Sequence, residues 1–227
     1  ELLAEQVDFA QVQACACTEL YLSATNVHTG RVKVFNGDEV TADAVMASAC
    51  LPYLFQAVEI DGVPYWDGGY MGNPVLFPFM ECSIARDVVI VQVNPISRTE
   101  TPKTAREIAD RVNEISFNAP LIKELRHFDF VNRAIRRGDL KGLGYAETFL
   151  HRIGGGDEIA HYTASSKLNA EWPFLVRLRD TGRAAADHWL GENFDAIGRK
   201  STMLTAPYLE FATPAEAIIE GGGAGRG

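Results

Sequence analysis

The sequence predicts an α/β protein, on three observations. Asp87 to Val93 (DVVIVQV) has five β-branched apolar residues in seven, and Asn94-Pro95 closes it, which marks a strand. Thr104 to Arg137 carries Ile108, Val112, Ile115, Leu121, Leu125, Phe128, Val131 and Ile135 at three-to-four spacing, the period of an amphipathic helix. Between Glu19 and Trp66, short alternating runs are separated by turn dipeptides. With 227 residues, 47% of them hydrophobic, the chain has material for a sizeable core rather than a disordered tail.

The chain opens on Glu1 rather than methionine, and no recognisable helix cap stands in Glu1 to Gln13, so the sequence reads as a fragment entered in mid-protein. Glu19 to Val27 is apolar enough for a buried strand, and Thr29-Gly30 turns it. Arg31 to Phe35 alternates charged and apolar residues as a more exposed neighbour, ending at Asn36-Gly37. Thr41 is placed to cap a helix over Ala42 to Cys50, with Asp43 in its favourable first turn and Pro52 beyond its end. Gln56 to Ile60 and Val63 to Trp66 then form a hairpin about Asp61-Gly62, since glycine accepts positive φ without strain.

That hairpin runs into Asp67-Gly68-Gly69. A carboxylate followed by two residues without β-carbons leaves space for other groups to approach, which suits a catalytic base. The competing reading is a turn, with Asp67 capping backbone amides and Gly68 and Gly69 supplying the bend. Ser48, in Ala47-Ser48-Ala49, lacks the flanking glycines of a nucleophile elbow and reads as a packing residue.

Asn73-Pro74 and Pro78 interrupt regular structure. The apolar run Leu76 to Met80 reads as core, with peripheral membrane contact as the alternative. The valine-rich strand is expected to lie centrally, covered on both faces. Pro95 to Pro102 reads as a linker to a second, largely helical region, in which Pro120 is expected to split the long periodic segment into two helices. Arg133, Arg136 and Arg137 near its end read as a solvated face.

Tyr145 to Ile153 is β-like and leads into Gly154-Gly155-Gly156. No Lys-Ser or Lys-Thr follows, and Asp157 and Glu158 come next, which disfavours a phosphate loop. His151, His161 and Asp157 match no metal-ligand spacing. Ser166 to Leu190 reads as helix-rich, with an apolar stripe of Leu175, Leu178, Ala185, Trp189 and Leu190. The closing glycine-rich stretch, residues 216–227, reads as a flexible tail.

Charge excludes some partners. At a formal −9 and a pI near 5.1, the chain repels phosphate backbones and anionic lipid head groups, so nucleic acid is not an expected partner. No apolar run approaches the roughly eighteen residues of a transmembrane segment, and no basic-then-apolar leader opens the sequence. Cys15, Cys17, Cys50 and Cys82 are too few and irregular for a disulfide framework, which favours a reducing, cytoplasmic setting.

ASACLPYLF, then a hairpin, then WDGGYMGNPV, together resemble the aspartate region of patatin-like phospholipases over about Leu20 to Asn94. The resemblance implies a patatin-like α/β/α sandwich with a mainly parallel sheet. Residues 1–95 would be the carboxyl-terminal portion of the catalytic domain, and residues 96–215 a helical extension like those of some bacterial members. It implies lipid acyl-ester hydrolysis by a serine–aspartate dyad with Asp67 as the catalytic acid, and no metal or cofactor. The family's glycine-rich oxyanion loop and Gly-x-Ser-x-Gly elbow are absent here, so the missing amino-terminal half of the same protein is the implied partner, and this chain alone is expected to be inactive. Two alternatives compete: a patatin-like module that has lost catalysis and binds lipid or an assembly, and an unrelated α/β binding protein whose Asp-Gly-Gly is a turn.

Overall fold

The computed structural model describes residues 2–81, 86–162, 164–205 and 208. Two short helices, α1 (Leu2–Gln6) and α2 (Phe9–Gln13), precede strands β1 (Leu22–Asn26) and β2 (Val32–Phe35). Helix α3 (Ala42–Ser48) leads to β3 (Val58–Ile60), β4 (Val63–Asp67) and α4 (Phe77–Glu81). Then follow β5 (Asp87–Gln92), the 33-residue α5 (Ala105–Arg137), β6 (Phe149–Gly154), α6 (Gly156–Ala160) and α7 (Trp172–Asn193). The absence of a cap in the opening stretch is corrected at Asp8, whose side chain accepts the Gln11 amide and starts α2.

The fold is mixed α/β. Its four-stranded sheet runs β2-β1-β4-β3 and is antiparallel throughout, while β5 and β6 form a separate parallel pair. The expectation of a mainly parallel sheet therefore fails among the described residues. Tight turns can join only antiparallel neighbours, and β1–β2 and β3–β4 are both joined that way, whereas the parallel strands β5 and β6 are connected through the long helix α5. The β3–β4 turn is as its sequence predicts: Ile60 faces Val63, and Asp61 and Gly62 both take positive φ, 52° and 75°.

Each sheet has its own core. Ala24, Phe35 and Tyr65 pack with Ala44 and Ala47 of α3, whose Thr41 cap accepts the Ala44 amide as predicted. Val88, Ile90 and Leu150 pack against Leu121, Leu125 and Phe128 of α5, with Leu76 and Met203 closing the cluster. Leu76 thus belongs to the core, while Phe77 is exposed.

The valine-rich strand is not covered on both faces. Val88 and Ile90 point into the core, whereas Val89 and Val91 are exposed, Val91 at 71%. Among the described residues, one strand lies beside β5 and one helix beneath it, which leaves it a single buried face.

Pro120 does not divide α5. The helix opens with a capping box in which Thr104 and Glu107 satisfy each other's backbone amides, runs through Pro120, and ends at Gly138 in the left-handed conformation. Phe117 and Leu121, on either side of the proline, are buried, so packing holds the helix across a residue that removes one of its hydrogen bonds. The stretch 95–102 is also tied down. Arg98 and Arg111 both pair with Glu114, Arg98 at 2.5 Å, while Asn118 donates to the Pro95 carbonyl at 2.9 Å. Burial pushes the Glu114 carboxyl up, but hydrogen bonds and charge from the two arginines outweigh it and hold it below its ordinary range. At the far end of α5, Arg133 pairs with Asp129 and Arg136 with Glu147. Residues 216–227, read as a tail, lie outside the described residues.

Replacing Pro120 with alanine should restore the missing helix bond and raise stability by about 1–3 kcal/mol, measured as the shift in a denaturant unfolding midpoint.

Candidate active site

Asp67 ends β4 and caps a one-turn 3-10 helix, Gly68–Tyr70. Its backbone is gripped on both sides: its N–H donates to the Cys50 carbonyl at 2.9 Å, and the Thr25 hydroxyl donates to its carbonyl at 2.8 Å. Strand β1, the loop after α3 and β4 thus converge on one residue.

The carboxylate is half-buried. Its Oδ1 accepts the Gly69 amide at 2.7 Å, and Oδ2 has no hydrogen-bond partner among the described residues. Burial pushes the Asp67 carboxyl above its usual range. The Gly69 amide and the Lys167 charge oppose that rise without cancelling it. Lys167 comes from a 3-10 helix, Ala164–Leu168, and its ammonium sits over the Phe117 ring at 4.9 Å.

Both glycines are fixed by close approach. A β-carbon at Gly68 would overlap the Ser23 carbonyl oxygen, and one at Gly69 would come within 2.5 Å of the Phe117 ring. The turn therefore lies flush against β1 on one side and α5 on the other, with the Tyr70 ring tilted against that of Phe117 at 4.9 Å between ring centres. Burial raises the Tyr70 hydroxyl's pKa, and the negative charge of Asp67 adds to it. Cys50 is buried, donates its thiol to the Gln56 carbonyl at 3.1 Å, and is likewise pushed up by burial.

Sequence reasoning missed Thr25, Phe117 and Lys167. Thr25 lies 42 residues from Asp67, and none of the three belongs to a motif that would place it beside the triplet. Ser48 donates to the Val45 carbonyl at 2.8 Å within its own helix, in keeping with a packing residue.

Other residues weighed for chemistry are engaged elsewhere. His151 is fully buried, with Nε2 2.8 Å from Asp87 Oδ1 and Nδ1 2.9 Å from the Thr202 hydroxyl, while His161 is exposed on a turn. No group of three or more metal-ligating side chains occurs among the described residues, and no helix there is long and apolar enough to cross a membrane. A cavity of about 460 Å³ runs along β5, lined by Asn73, Pro74, Leu76, Phe79, Asn118 and Leu121 among others. It begins a few residues beyond the triplet and does not include Asp67.

Gly68→Ala forces a backbone clash and should cost about 1–3 kcal/mol, lowering the melting temperature by roughly 2–10 °C in a calorimetric scan.

No curated protein matches the chain. Residues 13–81, from the end of α2 to α4 and including Asp67, match the family model described as patatin-like phospholipase, so this stretch is patatin-like.

Proposed function

We propose that this chain supplies the catalytic aspartate of a lipid acyl hydrolase that works through a serine–aspartate dyad. The observation that carries the reading is the Asp67 carboxylate at a strand end inside the patatin-like stretch, with one oxygen held by the Gly69 amide and the other without a partner among the described residues. A residue serving only its own bend needs the first contact. The second oxygen is available to a hydroxyl.

In this mechanism Asp67 Oδ2 takes the proton of a serine hydroxyl as the serine oxygen attacks the ester carbonyl, and returns it to the departing alcohol. Water then repeats the sequence on the acyl-serine, with Asp67 again accepting and returning the proton. A carboxylate near its reference pKa of about 3.9 is a weak base for this. The upward push from burial moves Asp67 in the useful direction. The Gly69 amide holds the carboxylate's orientation while the second oxygen works. The serine and the oxyanion donors are assigned to chain outside these 227 residues, since neither motif occurs within them. No metal or cofactor has a role in these steps.

Asp67→Asn in the complete protein should lower ester hydrolysis by about 10²–10⁴-fold. Folding should be retained, because the amide oxygen of asparagine can accept the same Gly69 N–H; turnover at the parent rate with a p-nitrophenyl ester would remove Asp67 from the mechanism. Lys167→Met tests the electrostatics. Removing a cation that holds the Asp67 carboxyl down lets its pKa rise, so the acidic limb of the kcat/KM profile should move to higher pH. An unmoved limb would show that this carboxylate does not set it.

A further inference from the structure

Helix α2 ends at Gln13, and the chain then bends through Ala16 and Cys17. The bend brings the Cys15 and Cys17 sulfurs to 3.2 Å from one another, with both residues exposed. A disulfide bond is about 2.05 Å long, so closing it needs an approach of roughly 1 Å. The bend is also anchored: the Gln13 side-chain amide donates to the carbonyls of Asp38 and Val40, at 3.1 and 3.0 Å. Val40 is buried, so the anchor point is part of the packed body.

Hydrogen bonding from the Cys17 thiol holds Cys15 below the usual thiol range, and the backbone amides of Cys17 and Thr18 add to it. Cys50 shows the contrast, being buried with its thiol pushed up.

We propose that Cys15 and Cys17 form a reversible dithiol–disulfide site whose co-substrate is a low-molecular-weight disulfide of the glutathione class. The Cys15 thiolate attacks one sulfur of the small disulfide, forming a mixed disulfide and expelling one thiolate, which takes up a proton. The Cys17 thiol gives its proton to water and attacks the Cys15 sulfur, expelling the second small thiolate. Two protein thiols lose two electrons and two protons, and one small disulfide becomes two thiols. The site shares no residue with Asp67 or its contacts, so it stands or falls apart from the hydrolase reading.

The protein is incubated with oxidised glutathione, the remaining free thiols are alkylated, and the digest is read by mass spectrometry. The peptide holding Cys15 and Cys17 should be lighter by two hydrogens, carry no glutathione, and return to the dithiol with dithiothreitol. Cys17→Ser should trap glutathione on Cys15, and Cys15→Ser should form no bond within this peptide. Cys82→Ser should leave the intrachain bond unchanged. The proposal is overturned if the parent protein retains glutathione on either cysteine, if both thiols stay free, or if either pairs with Cys82 or with a second chain.

Discussion

The structure around the triplet depends on one constraint: the peptide chain at Asp67 to Gly69 has no room for side chains beyond that of Asp67. Ser23 on β1 and Phe117 on α5 occupy the space that β-carbons at Gly68 and Gly69 would need. A turn wedged this closely between a strand and a helix cannot rotate freely, and the two backbone hydrogen bonds of Asp67 fix it further. The fixed turn thereby places the Gly69 amide that holds one oxygen of the carboxylate, the form of preorganisation that a proton-transfer group needs.

Phe117 links this constraint to the rest of the molecule. It lies one residue before Asn118, which holds the Pro95 carbonyl, and one turn after Glu114, which holds Arg98 and Arg111. The same face of α5 continues through Leu121 and Leu125 into the core beneath β5. Glu114 is nearly buried, and loss of either arginine would leave its charge partly uncompensated at a cost larger than the pair contributes when intact. The position of α5 against the Asp67 turn is thus held from one side by an ion cluster and from the other by apolar packing. Lys167 reaches Phe117 from a third element, so the aspartate senses a region remote from it in sequence.

Local chemistry was legible in the sequence, and partnership was not. The Thr41 cap, the Asp61-Gly62 turn and the strand over residues 87–92 follow from residues within a few positions of each other, where steric and hydrogen-bonding rules are strong. Pro120 shows the limit. Its ring opposes a helix, but buried neighbours on both sides decide the outcome, and their burial depends on strands that the helix sequence does not mention. The run of valines on β5 likewise reads as covered on both faces, because composition gives apolarity and not the number of layers that meet it. At the site, Asp67, Gly68 and Gly69 stood out by their spacing and flanks. Thr25, Phe117 and Lys167 did not, because close approach of distant segments leaves no local pattern.

The burial of Asp67 sets a balance that its surroundings must keep. Full burial would raise the carboxyl far enough to leave it protonated and unable to accept a proton, while full exposure would leave it too weak a base. Its environment lies between these limits: one oxygen bonded to an amide, the other unpartnered among the described residues, and a cation close enough to oppose the rise. The two opposing influences come from different places. The Gly69 amide is part of the turn and cannot be removed without dismantling it, whereas the Lys167 ammonium is exposed on a flexible stem and can change without disturbing the packing. The amide therefore fixes the geometry of the carboxylate, and the lysine is the group through which its proton affinity can be tuned.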